Sequence, residues 1–302
     1  MSTSRAYTRA NLLGRRDVSP NDMTVSGALA SLDALNESNF PQVPLSDAGA
    51  GTVIASYRQN ILSSVYQPVM VPVTGVTVGH AARARSSDEG RAEQSALGVF
   101  ALTGPDHVVV QLDRAVRTLH ALNYFPRAGS AWRLFLRVQP RLLASVVSGH
   151  GRVFERILGN LGVPTKDVVI EIPRHVNEDP ALYVRALLSY RSLGYRVASD
   201  WLDFDDPLLE GRYDVIPDIV AIDHRWLPNP GMLGSSVERI QQRGAAAMVK
   251  FVETAAALDA ATAAGADLAQ GFHLGRPVPV PEIARLHGAA VAATPAASSA
   301  AG

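Results

Sequence analysis

A mostly parallel α/β fold closed into a barrel is the architecture this sequence predicts, and three observations carry the expectation. Short apolar stretches alternate with helical ones along the chain, the pattern of a parallel sheet covered by helices. The strand candidates fall at residues 77–82, 134–138, 168–172, 195–199, 219–222, 247–251 and 268–270. That many units within roughly 240 residues favours a closed barrel over an open doubly wound sheet, the alternative.

Taken in order, residues 1–50 are polar and mixed, with clusters such as VSPND and ESNFPQVPLSD. They predict a flexible N-terminal arm with at most one short helix, near residues 27–35. The stretch VYQPVMVPVTGVTVGHAARAR, residues 65–85, predicts two short strands around a turn at Pro72-Val73-Thr74-Gly75. Its second strand ends in His80-Ala81-Ala82-Arg83-Ala84-Arg85, two arginines and no acid. A helix over 180–193 is bounded by Asp179 as N-cap, Pro180 at the first helical position and Gly194 just past the end. Another, over 253–264, is closed by Gly265. The barrel domain is expected over 51–288, with 289–302 a disordered Ala/Ser tail.

Composition narrows the function classes. Across 302 residues, 28 basic side chains balance 28 acidic ones, which argues against a nucleic-acid binder with its basic stripe. The absence of cysteine excludes disulfides, thiolate metal sites and cysteine nucleophiles. The opening MSTSRAYTRANLLGRRD has no apolar core of a signal peptide, and no apolar run approaches the roughly 20 residues of a membrane span. A soluble cytoplasmic protein is expected.

Barrel chemistry gathers at the C-terminal ends of strands. Those ends carry Arg137, Glu171, Asp200, Asp223, Glu253 and Gln270. Four carboxylates converging there would imply oxygen ligands for magnesium or calcium. Each acid alone equally fits a helix cap or a surface ion pair; their shared position is what points to a site. GxGxxG after a strand, GxxxxGK[ST], HExxH and GxSxG are all missing. His80, His224 and His273 lie near strand ends and read as ordinary polar packing.

Several ordered segments resemble the EAL-domain phosphodiesterases, which hydrolyse the bacterial messenger cyclic di-GMP. Tyr66-Gln67-Pro68 resembles the family's YQP, and residues 79–85, GHAARAR, stand where it has G-Y-E-A-L-x-R. IVAID ending at Asp223 is similar to I-K-I-D, VKFVET to A-E-G-V-E-T, and QGFHLGRPVP to Q-G-Y-x-x-x-x-P-x-P. The resemblance implies a TIM-like (β/α)8 barrel with one antiparallel strand near its start. It also implies a reaction in which two divalent ions activate water and neutralise the phosphodiester.

Carried over by residue, the resemblance implies a broken metal cage. The glutamate that names the family is Ala81, its metal-binding asparagine is Arg137, and its tandem aspartates are Asp200 and Trp201. The I-K-I-D lysine is Ala221, and E-x-T-E keeps Glu171 but ends in Arg174. Glu253 and Gln270 match, so Glu171, Asp200 and Glu253 remain as remnant metal-site positions. No hydrolysis, metal or other cofactor is expected. Arg137 is expected to stand in for the ions by pairing with Glu171 and Asp200, with Trp201 filling the vacated space.

Two functions are then open. One is a cyclic di-GMP receptor, with Gln67, Arg85, Asp200, Glu253 and Gln270 around the ligand, Phe272 stacking on guanine, and Arg83 adding a phosphate or cation–π contact. Arg85 equally fits a salt bridge to Asp88 or Glu89. The other is a module that docks onto a protein partner without nucleotide, and homodimerisation fits either.

Overall fold

The computed structural model describes residues 23–88, 94–128, 132–146, 149–173, 179–200, 215–227, 229–280 and 282. Among the described residues twelve strands follow in order: β1 Leu45–Asp47, β2 Val53–Tyr57, β3 Asn60–Met70, β4 Thr77–Asp88, β5 Gln94–Ser95, β6 Arg133–Arg137, β7 Val168–Ile172, β8 Arg196–Asp200, β9 Ile219–Asp223, β10 Ala246–Lys250, β11 Leu268–Gln270 and β12 Val278–Pro279. Pairing proceeds in the order β3-β11-β10-β9-β8-β7-β6-β4, and β4 pairs back onto β3, which closes an eight-stranded barrel. Every pairing within it is parallel except the two made by β3. The expected barrel with one antiparallel strand is the fold.

Its helices are α1 Val25–Ala30, α2 Leu32–Asn39, α3 Leu97–Ala101, α4 Asp106–Ala128, α5 Pro140–Ser145, α6 Arg152–Asn160, α7 Pro180–Ser192, α8 Met232–Gln242 and α9 Ala255–Ala263. The signals read at α7 operate as expected. The Asp179 carboxylate accepts from the Leu182 amide at 3.0 Å, and Gly194 ends the helix at φ +83°. The two strands expected around Pro72–Gly75 are longer than the sequence suggested, because β3 and β4 form one hairpin reaching well beyond the barrel wall.

Alternation within the strands sorts side chains by layer. The barrel interior is floored by Val69, Ala81, Phe135, Val169, Ala198, Ala221, Met248 and Leu268. Two residues further toward the mouth on each strand comes a polar one: Gln67, Arg83, Arg137, Glu171, Asp200, Asp223, Lys250 and Gln270. A period of two keeps both rings on the same face of the sheet.

The flexible arm expected over residues 1–50 needs correction from residue 23 onward; residues 1–22 and the tail 289–302 lie outside the described residues. Two helices form where at most one was expected, α1 being capped by the Thr24 hydroxyl, which accepts from the Gly27 amide. Asn36 brackets Leu45, donating to its carbonyl at 2.8 Å and accepting from its amide at 2.7 Å. Phe40 and Val43 are fully buried in the main core. The polar composition of this segment concealed a few widely spaced apolar anchors. Phe40→Ala should therefore destabilise the whole domain by about 3–5 kcal/mol in denaturant unfolding, as truncation of a buried ring does; an unchanged midpoint would mean that this segment packs independently.

Candidate functional site

The polar ring at the barrel mouth is an ion-pair network. Lys250, at the end of β10, sends its ammonium between two carboxylates, 2.8 Å from Asp200 Oδ1 and 3.2 Å from Glu171 Oε1. Arg83 on β4 donates from Nη1 to Glu171 Oε2 at 3.0 Å, and Arg137 on β6 reaches Asp200 Oδ2 at 3.4 Å. Glu171 is buried, as is Lys250. Burial pushes the Glu171 carboxyl upward, but Lys250, Arg83 and Arg137 together outweigh it and hold the group far below the usual carboxylate range.

Beside this network Gln67 and Gln270 bond to each other. The Gln270 amide donates to Gln67 Oε1 at 2.9 Å, while Gln67 Nε2 donates to the Gly275 carbonyl at 3.1 Å. Gly271 follows because a Cβ there would run into the backbone of Val252, whose amide donates to the Gln270 carbonyl at 3.1 Å. The glycine of the QG pair is thus set by close backbone approach.

The remaining predicted residues are dispersed. Arg85 is half-buried on β4, two positions beyond Arg83 and opposite Ser63 of β3 and Ser95 of β5. Asp223 turns to its own neighbour, with Arg225 Nε at 2.9 Å and Nη2 at 2.8 Å, and the Arg225 guanidinium lies 3.6 Å over the Phe251 ring. Glu253 is exposed. Phe272 is also exposed, with the Arg276 guanidinium 4.9 Å over its ring. Trp201 and Arg174, and hence the expected filling of space by Trp201, lie outside the described residues. His80 is buried as ordinary packing would have it, 3.0 Å from the Tyr124 hydroxyl.

Two expectations change. The convergence of four carboxylates reduces to Glu171 and Asp200, because Asp223 is drawn to Arg225 and Glu253 sits past the strand end in solvent. Arg137 was expected on Glu171 with Asp200; it pairs with Asp200, and the Glu171 contacts are taken by Arg83 and Lys250. Lys250 was overlooked although its signal was present, since VKFVET sets it against the first glutamate of A-E-G-V-E-T.

The family's chemistry calls for divalent ions, and the residues present do not fit them. Among the described residues no group of three His, Asp or Glu could hold an ion. The two acids brought together already face three cations, and a divalent ion beside those would meet repulsion.

A parallel barrel closed by one antiparallel strand, with its polar ring at the mouth, defines a TIM-barrel-like α/β protein. The EAL domain model matches residues 53–277, and the chain belongs to that family. Its fold is similar to the Bacillus subtilis YkuI protein in complex with cyclic di-GMP and calcium, with 21% identity, TM-score 0.61, and coverage of 76% of this chain and 63% of that one. The Xanthomonas citri FimX EAL domain, in complex with cyclic di-GMP, gives 19% identity, TM-score 0.58, and coverage of 72% and 88%. The EAL enzyme Bd1971, bound to cAMP and cyclic di-GMP, gives 17%, 0.59, and coverage of 74% and 64%, so the chain spans less than two thirds of that protein. Comparison with curated proteins finds no match. Among the described residues no helix is long and apolar enough to cross a membrane.

The network makes two measurable demands. Lys250→Met leaves two carboxylates facing each other at the mouth and should cost about 3 kcal/mol in denaturant unfolding, as breaking a buried pair does. Because Glu171 is depressed in the folded state, its contribution is fully present above its unfolded value, near pH 4.3, and is lost as pH falls below it. Stability should therefore drop from about pH 5 downward, and Glu171→Gln should flatten that part of the profile.

Proposed function

We propose that this EAL-domain protein does not hydrolyse cyclic di-GMP and serves as a receptor for it. The observation that carries the reading is the ammonium of Lys250 between Glu171 and Asp200. It neutralises acids that the family resemblance assigns to metal ions, and a positioned ammonium generates no metal-bound hydroxide. Ala81 in place of the naming glutamate supports the same conclusion. Binding is chemically reasonable, because Lys250, Arg83 and Arg137 against Glu171 and Asp200 give the ion-pair network a net positive charge toward a ligand bearing two phosphodiesters, while Asp223 is neutralised by Arg225. The side chains of Arg83 and Arg137 are 32% and 37% exposed and can reach such a ligand. Arg85 adds a further guanidinium on the strand of Arg83. EAL relatives in complex with cyclic di-GMP make this the natural ligand class.

One observation favours a second reading, a module that docks onto a partner protein or a second copy without nucleotide. Gln67 and Gln270, offered as ligand contacts, satisfy each other, and Arg83 is engaged by Glu171. Calorimetric titration with cyclic di-GMP, with and without magnesium or calcium, separates the two. The receptor predicts micromolar or tighter binding that is indifferent to metal, is lost in Arg85→Ala and is accompanied by no linear dinucleotide product. Absence of heat under every condition would overturn it and leave docking; metal-dependent product would overturn the loss of hydrolysis.

A further inference from the structure

Phe251 combines a strained backbone with an exposed ring. It stands at φ +61°, in the left-handed region. The chain turns there between Lys250, buried with its ammonium in the polar ring, and Val252, buried against α8 and α9. Both sides of the turn are pinned. The Phe251 carbonyl accepts from His224 Nε2 at 3.0 Å, and the Val252 amide donates to the Gln270 carbonyl at 3.1 Å. Glycine adopts this conformation freely, whereas a residue with a Cβ is strained in it. The matching segment A-E-G-V-E-T has glycine at this position, so VKFVET sets an aromatic side chain where the backbone favours none.

Burial does not offset that strain, because Phe251 is 40% exposed. The ring is nevertheless held in place. The Arg225 guanidinium covers one face at 3.6 Å and is itself fixed on Asp223, through Nε at 2.9 Å and Nη2 at 2.8 Å. Asp223 belongs to the polar ring and lies in register with Lys250, so the phenyl group stands at the rim of the mouth. On the next strand Phe272 is exposed as well, with Arg276 over its ring. A Cβ at Gly271 would run into the Val252 backbone, so the two segments touch and the two phenylalanines flank the contact. Folding gains little from an apolar ring displayed on a strained backbone, and strain of this kind gathers at ligand clamps.

We propose that Phe251, backed by Arg225, is a stacking platform for one purine base of the ligand taken at the barrel mouth; the inference rests on the receptor reading above. A purine offers a flat face to the uncovered part of the ring, and the cationic network that suits its phosphodiester begins at the next residue, Lys250. The test is calorimetric titration of the full chain with cyclic di-GMP, for the wild type and for Phe251→Gly, Phe251→Leu and Phe251→Trp, with Tm recorded for each. Stacking predicts a Kd weakened roughly tenfold or more in Phe251→Gly and Phe251→Leu, and close to wild type in Phe251→Trp. Phe251→Gly should keep Tm within about 3 °C of wild type or raise it, because glycine relieves the strain. A purely structural phenylalanine gives the reverse, a lower Tm in Phe251→Gly with Kd unchanged, and overturns the proposal. A wild-type Kd in Phe251→Leu overturns it too, since apolar cover would then suffice. In either case the receptor reading stands; absence of binding by the wild-type chain overturns both.

Discussion

The contact on which the barrel mouth depends is the Lys250 ammonium held between Glu171 and Asp200. A buried carboxylate is tolerable only with a cation or several donors against it. Glu171 lies two strand positions above Val169 in the apolar floor and is itself buried. Lys250 stands two positions above Met248 on β10 and supplies the charge from across the barrel. Arg83 and Arg137 complete the balance from β4 and β6. Remove the ammonium, and two negative charges face one another above a hydrophobic layer.

This arrangement also explains why the proposed loss of chemistry need not cost the fold. A divalent ion would bind the ring from its centre, drawing in oxygen ligands at short, fixed distances. Side-chain cations from three different strands achieve the neutralisation through hydrogen bonds that belong to the chain itself. The ring is then complete without a bound component, and the floor beneath it keeps the layered packing common to barrels of this type.

Much of the barrel was legible because its signals are local. Strands β7 and β11 begin and end where their apolar runs do, α7 lies between the Asp179 cap and the Gly194 that marked it, and α9 ends just before the Gly265 that marked its close. The N-terminal segment was misread because Phe40, Val43 and Leu45 are isolated apolar residues in polar sequence, and the neighbouring strand β2 that helps to bury them is itself covered by α4, which is remote in the chain. At the site the same division holds. Strand ends could be read, and Glu171, Asp200, Arg137 and Gln270 do meet there, but which cation meets which acid is set by barrel stagger. The register pairs Glu171 with Ala198 on β8 and Lys250 with Asp223 on β9, so Lys250 reaches Glu171 across the interior rather than along the sheet. No spacing in the sequence expresses that.

Exposure divides the network into a fixed part and a movable part. The side chains of Lys250 and Glu171 are 9% and 4% exposed, whereas those of Arg83 and Arg137 stand near one third. If Arg83 swings toward an incoming phosphate, Glu171 keeps Lys250, and the guanidinium exchanges one charged acceptor for another. The Gln67–Gln270 bond can be exchanged on similar terms, one neutral hydrogen bond for another. Lys250 has no such freedom, because it bridges both acids and moving it leaves each with a single, partly exposed arginine. The inner triad therefore acts as the structural base of the mouth, and the receptor function proposed above assigns recognition to the outer arginines that rest on it.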